Sequence, residues 1–341
     1  MGTTTENKAI SAEEYILSNK YLEISFSSFG AAVRKICIKK SNDKHKNIAF
    51  TLPDTELYPY NSLYAGATLA PTSGRIENGL LSINKTLFLL SKNEQGRHHI
   101  HGGRDNLSFC FWKLTHKDSH TLTFSASLKD KTDGYPGNRH FEVTYQLKDN
   151  CLEIQQHAIS DTDTCFNMSN HTYFNLNAFS SSGLDQYLMI HANRVVCNNE
   201  EHIPQKAISA AGTEFDFISS VHIGNRIKQY AESEQFRIAR GLNHYFLLSE
   251  NTMDTPACTL FSSDRKTVLR LTTDAPALVL YSGGFIDNSF HYEEADGSLH
   301  AAYPGCAVAI EPSYAPFQKE CPYAAKTFDR IIRWEFSSHL S

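Results

Sequence analysis

The sequence predicts one large all-β domain of antiparallel strands with few short helices. Three observations carry that expectation. Apolar and polar residues alternate with a period of two in many segments, helical periodicity is scarce, and no Pro/Gly/Ser-rich linker or internal repeat divides the chain. A half-buried strand produces the alternation because successive side chains point to opposite faces of a sheet. The expectation is a single domain over residues 1–341, with about the first ten residues forming a flexible tail.

Taken in order, Leu22, Ile24 and Phe26 alternate with polar neighbours, and so do Leu122, Phe124, Ala126 and Leu128. In FEVTYQL, Phe141, Val143, Tyr145 and Leu147 share one face, while Glu142, Thr144 and Gln146 share the other. LEIQQHAI follows the turn-like Lys148, Asp149 and Asn150, so residues 141–159 read as a hairpin. SSDRKT before VLRLTT predicts a second hairpin turning near Asp264 and Arg265. The best helical candidate is a short or irregular segment over residues 225–238, and a weaker one covers residues 12–17.

A chain of 341 residues accommodates two average domains or one large sandwich or barrel. With 41% hydrophobic and 20% charged residues it has ample material for a core. The net charge of −5 and the absence of a basic run give no footprint for nucleic acid. No stretch approaches the ~18 apolar residues of a membrane span, and the polar N-terminus lacks the apolar core of a signal peptide. MGTTTE is loosely like a myristoylation signal at Gly2, though a flexible tail accounts for it more simply. The eight cysteines contain no C-x-x-C pair. Several, such as Cys37 and Cys306, sit in apolar runs as small buried hydrophobes. Reduced thiols in a cytoplasmic protein are the default expectation, with disulfides as the lesser alternative.

Five polar clusters interrupt the strand pattern: APTSGRIENG with Arg75, RHHIHGG with His98, His99 and His101, NMSNHTYFNL with His171, GLNHYF with Asn243 and His244, and AVAIEPSY with Glu311. Each has an ordinary reading. Arg75 alone is a surface charge, and a lone His171 is a hydrogen-bonded core or loop residue. Histidines at i, i+1 and i+3 of a strand do not converge on a metal. Glu311 is harder to dismiss, because a carboxylate ending a buried strand needs a partner or a task. DGYPGN over residues 133–138 reads as a turn without chemistry. A histidine and a glutamate brought together in a cleft form a natural general acid and general base.

In order and spacing, GRIENG, HIHGG, DGYPGN, NMSNHTYFNL, GTEFDF, LNHYF, LYSGGFID and AIEPSY resemble the aldose 1-epimerase (galactose mutarotase) family. The resemblance runs from about Tyr64 to Phe328 and implies a galactose mutarotase-like β-supersandwich with a sugar cleft on one face. It implies no metal and no organic cofactor. The implied activity interconverts the α and β anomers of a free aldose such as galactose or glucose. By position, His171 matches the general acid that protonates the ring oxygen and Glu311 the general base that deprotonates the anomeric hydroxyl. Arg75, His101 and Asn243 match sugar-contacting positions. Such a pair works best with Glu311 ionised and His171 protonated, an arrangement that proximity to Arg75 favours.

Three departures from the family pattern concern the sugar-reading shell. Asn243 stands where Asp is common, Val279 where many members carry Gln, and Pro312 and Ser313 follow Glu311 where Thr and Gln are common. They redirect specificity more readily than reaction type. Two alternatives follow, a carbohydrate-binding protein without catalysis and a hexose-6-phosphate 1-epimerase. The latter would use Arg97 and Arg104 for the phosphate. The expected partner is a small-molecule sugar, with neither nucleic acid nor membrane, for a monomer or homodimer.

Overall fold

The structure is a computed structural model describing residues 12–39, 45–249, 253–294 and 296–338. The proposed N-terminal tail and the Gly2 signal lie outside the described residues. Three large antiparallel sheets organise the chain. A nine-stranded sheet runs in the order Lys113–Lys117, Thr121–Leu128, Arg139–Lys148, Cys151–Thr164, Ala325–Ser338, Thr267–Thr273, Cys258–Phe261, Tyr187–Ile190 and Val221–His222. A six-stranded sheet follows Tyr173–Phe174, Val308–Ser313, Ala277–Tyr281, Asn243–Leu248, Ala192–Asn198 and Pro204–Ser209. A four-stranded sheet comprises Glu14–Ser18, Leu22–Ser27, Ala32–Ile38 and Lys46–Asn47.

The alternation read from the sequence fixes which faces meet. Phe141, Val143, Tyr145 and Leu147 are all buried, and they enter one apolar cluster with Leu152, Ile154, Ile332 and Trp334 of the same sheet. From the six-stranded sheet, Phe246, Leu278, Leu280, Val308 and Ile310 join that cluster. Phe174 and Trp334 cross between the two sheets edge to face, with ring centroids 5.1 Å apart. Burial of this apolar surface, at roughly 25 cal/mol per Å², clamps the six-stranded sheet by one face and leaves its other face for a cleft.

Both predicted hairpins form. Lys148 pairs with Cys151 across Asp149 and Asn150, and Phe261 pairs with Val268 across the Asp264 turn. The helical candidate becomes two short helices, Ile223–Gln229 and Glu234–Ala239. The second begins where the Ser233 hydroxyl caps the Phe236 N–H and ends at Arg240, whose φ of 51° breaks the helical path. Residues 12–17 are not helical. Glu14–Ser18 is a strand on the edge of the four-stranded sheet, where pairing with Leu22–Ser27 outweighs weak local propensity.

The expectation of reduced thiols throughout requires correction. Cys165 and Cys321, 156 residues apart, form a disulfide with a Cα–Cα distance of 6.3 Å. Spacing along the chain carried no signal of it, because only the fold brings the pair within bonding range. Cys37 and Cys306 are free and buried, as their apolar runs predict. Among the described residues no helix is long and apolar enough to cross a membrane.

Candidate active site

The six-stranded sheet presents its second face to the cleft. Tyr245 lies opposite Val279, and Val279 opposite Glu311, so one row crosses three adjacent strands. The next row on the same face is Asn243, Tyr281, Ala309 and Tyr173. Glu311 is therefore exposed to the cleft side by the same alternation that sends Ile310 into the core.

His171 lies between the short strands Ser169–Asn170 and Tyr173–Phe174. Its backbone is held on both sides: the His171 N–H donates to the Ala67 carbonyl at 2.9 Å, and the Gly66 N–H donates to the His171 carbonyl at 3.0 Å. The imidazole Nε2 stands 3.5 Å from the Glu311 Oε1, and the two side chains are only 6% and 4% exposed. Two further ties fasten the segments that carry them. Arg330, buried, donates from Nη1 to the carbonyls of Met168 and Pro312. Asn167 donates to the Ser313 hydroxyl at 2.9 Å and accepts from the Tyr314 N–H at 2.8 Å.

Arg75 and His101 arrive on a two-residue ladder in which Arg75 pairs with Ile100 and Ile76 with His99. The Gly74 N–H donates to His101 Nδ1 at 3.3 Å, which leaves the proton of a neutral ring on Nε2 as a hydrogen-bond donor. Gly74 has a φ of +78°, and a Cβ there would lie 1.9 Å from the Tyr245 hydroxyl, so only glycine fits beneath the arginine. Arg75 forms a forked pair with Glu94, from Nε to both carboxylate oxygens at 2.9 and 2.7 Å and from Nη2 to Oε1 at 2.6 Å. Among the described residues, none engages its Nη1 group. The rings of His101 and His171 are 5.6 Å apart, and Tyr64 packs against His101 at 4.7 Å.

Burial sets the protonation of the pair and reverses the sequence expectation. Desolvation pushes the Glu311 carboxyl up to about 8, with Arg75 opposing the shift. Desolvation lowers His171 to about 4. Glu311 thus favours the acid form and His171 the neutral form, the reverse of the ionised carboxylate and imidazolium anticipated from proximity. The loss of hydration outweighs the attraction of Arg75, whose charge is largely answered by Glu94. His101 is held well below its ordinary value, first by desolvation and then by His171 and Arg75.

The structure brings Arg75, His101, His171 and Glu311 close together and puts Asn243 on the same sheet face as Glu311, one row away beside Tyr281. The other histidines of the polar clusters serve the scaffold. His98 accepts from the Asn78 N–H, and His99 bridges the Ser91 carbonyl and the Tyr135 hydroxyl, each at 2.8 Å. His244 points to the opposite sheet face from the Asn243 side chain, accepts from the Asn243 backbone N–H at Nδ1 and meets Gln235 through Nε2. The DGYPGN turn supports the site: Asp133 accepts from the backbone N–H groups of Arg104 and Asp105, holding the loop that follows His101. Glu94, Tyr64, Tyr245 and Tyr281 were not singled out in the sequence.

The chain is similar to known proteins over most of its length. The family model for aldose 1-epimerase matches residues 13–322. An aldose 1-epimerase of Haemophilus influenzae is 31% identical over 259 residues, covering 74% of this chain and 73% of its own. An aldose 1-epimerase of Escherichia coli is 29% identical over 272 residues, covering 79% and 78%. Among solved structures, a galactose 1-epimerase from Lactobacillus acidophilus superposes with a TM-score of 0.84 at 25% identity, covering 98% of this chain and 97% of that one. An aldose epimerase homologue from C. elegans gives the same TM-score at 22% identity, covering 97% and 100%. The chain belongs to the aldose 1-epimerase family, isomerases that act on carbohydrates.

Proposed function

We propose that this protein is an aldose 1-epimerase that interconverts the α and β anomers of a free aldose by acid–base ring opening. The single observation that supports it most is the buried pair, His171 Nε2 3.5 Å from Glu311 Oε1, in a cleft with the Nη1 donor of Arg75 and the neutral donor of His101.

Ring opening needs a proton removed from O1 and one delivered to O5. Glu311 takes the first and His171 gives the second. Rotation about the C1–C2 bond turns the other face of the aldehyde to O5, and reclosure reverses both transfers. The pair carries one proton in total. Glu311 acid with neutral His171, and Glu311 carboxylate with His171 imidazolium, are two arrangements of that proton. Burial favours the first. An O1 hydroxyl donating to Glu311 and an O5 accepting from His171 stabilise the second in the reacting complex, so charge is created only where the substrate answers it. Each positioned group contributes about 10²–10⁴-fold. Asn243 and the Arg75 Nη1 group hold peripheral hydroxyls. The cytoplasm is the proposed setting.

The free-aldose reading is favoured over hexose 6-phosphates because Arg97 is ion-paired with Glu201 and Arg104 donates to the Lys92 carbonyl, and a hexose 6-phosphate in the same assay tests the alternative. Polarimetry on a panel of free aldoses tests the reading. Accelerated approach to anomeric equilibrium is expected for at least one sugar. Binding without acceleration selects the non-catalytic alternative.

A further inference from the structure

Glu311 has a different neighbour on each side. The strand Tyr173–Phe174 pairs with one edge of the Glu311 strand, and His171, two residues before Tyr173, reaches the carboxylate from that side. On the other edge, directly opposite Glu311, stands Val279, about 4.8 Å away across the ladder. Tyr245 is next in the row. Val279 belongs to an apolar cluster with Tyr245, Val196 and Ala277. The order across the cleft floor is therefore His171, Glu311, Val279, Tyr245.

An anomeric carbon has two ring neighbours, O5 and C2. With O1 at Glu311 and O5 toward His171, C2 is turned toward Val279. An isopropyl group offers no hydrogen bond, and Asn243 lies one strand and one row further, beside Tyr281. A C2 hydroxyl brought here leaves water and gains no partner from the floor, whereas a methylene is compatible with the valine.

We propose that this cleft favours aldoses lacking the C2 hydroxyl, 2-deoxyaldopyranoses as a class, and that Val279 is the residue that sets this preference. The inference rests on the proposed anomerase reading, because that reading orients the sugar. A site that bonds a hydroxyl rejects the analogue lacking it steeply, while an apolar wall does not.

The test is kcat/KM for anomerisation of 2-deoxyglucose against glucose and of 2-deoxygalactose against galactose, each divided by the sugar's own uncatalysed rate. The expected ratio of deoxy sugar to parent is one or higher. Val279→Gln, which supplies a donor and an acceptor at the same place, should swing the ratio toward the parent by about tenfold or more. Val279→Thr keeps the volume, adds a hydroxyl, and should move it in the same direction even if the glutamine variant folds poorly. Val279→Leu should leave it in place. A wild-type preference for the parent sugars, or a ratio unmoved by both polar variants, overturns the role of Val279 while leaving the anomerase reading intact. If no sugar of either pair is accelerated, both readings fall together.

Discussion

The two faces of the six-stranded sheet are made by the same strands and have opposite properties. On one face Phe246, Leu278, Leu280, Val308 and Ile310 pack into the core. On the other, one residue out of phase, stand Tyr245, Val279, Tyr281 and Glu311. Both faces are dry, since Ile310 is 0% exposed and Glu311 only 3%. The difference is that the first is buried among apolar atoms that gain from losing water, and the second holds ionisable groups that lose by it. The cleft face is thus a place where dehydration is retained for chemistry at some cost in stability.

The comparison can be broken most sharply at the acid–base pair. Glu311→Gln and His171→Asn should each slow anomerisation by about 10²–10⁴-fold, and the double variant should lose much less than the product of the two. Polarimetric rates with circular dichroism as a folding control read this directly. Changing the adjacent residue should do the reverse. Ile310→Ala should cost about 2–5 kcal/mol in urea unfolding while kcat/KM per folded molecule stays within a few-fold. If Ile310→Ala instead behaves like Glu311→Gln, the two faces are not separable.

A smaller effect tests the cost of burying the carboxyl. Glu311 is raised from 4.5 to about 8 on folding. Below about 4.5 both folded and unfolded chains hold the proton and Glu311 carries no penalty. As pH rises toward about 8 the unfolded chain ionises while the folded one resists, so stability is lost across that window. Glu311→Gln, which does not titrate, should therefore be more stable than the parent by roughly 2–3 kcal/mol near neutrality. The advantage should vanish near pH 4.5. Thermal melts at both ends of the window would reveal it, and an equal melting point at neutral pH would refute it.

The gentlest probe is the pH profile of kcat/KM. The pair is competent while it holds one proton. His171 takes up a second as pH falls through about 4, and the last is lost as pH rises through about 8. A plateau between those limits is expected. A profile that keeps rising above pH 8 would mean that the working form of Glu311 is ionised before substrate arrives.

Much of this was legible before any coordinates. Alternation in FEVTYQL carries the all-β fold, because strand geometry is local and its period is two, and the apolar AVAI run carries the burial of the strand that ends in Glu311. The motifs around Arg75, His101, His171 and Glu311 pointed to the candidate site through their order, which no one of them could do alone. Asn243 was named from its motif, yet its row beside Tyr281 came from strand pairing. The Arg75–Glu94 fork and the Cys165–Cys321 bond had no sequence signature, since neither partner's spacing suggests the other.

Sequence alone determined the strand pattern, the family and the chemical types available for acid–base work. Tertiary structure decided which side chains stand next to each other across strands, that Val279 faces the cleft beside Glu311, and that the carboxyl rather than the imidazole holds the proton favoured by burial. The physical reason is that periodicity is a property of a few neighbouring residues. Register and desolvation are properties of groups brought together from distant parts of the chain, and proton affinity follows from them.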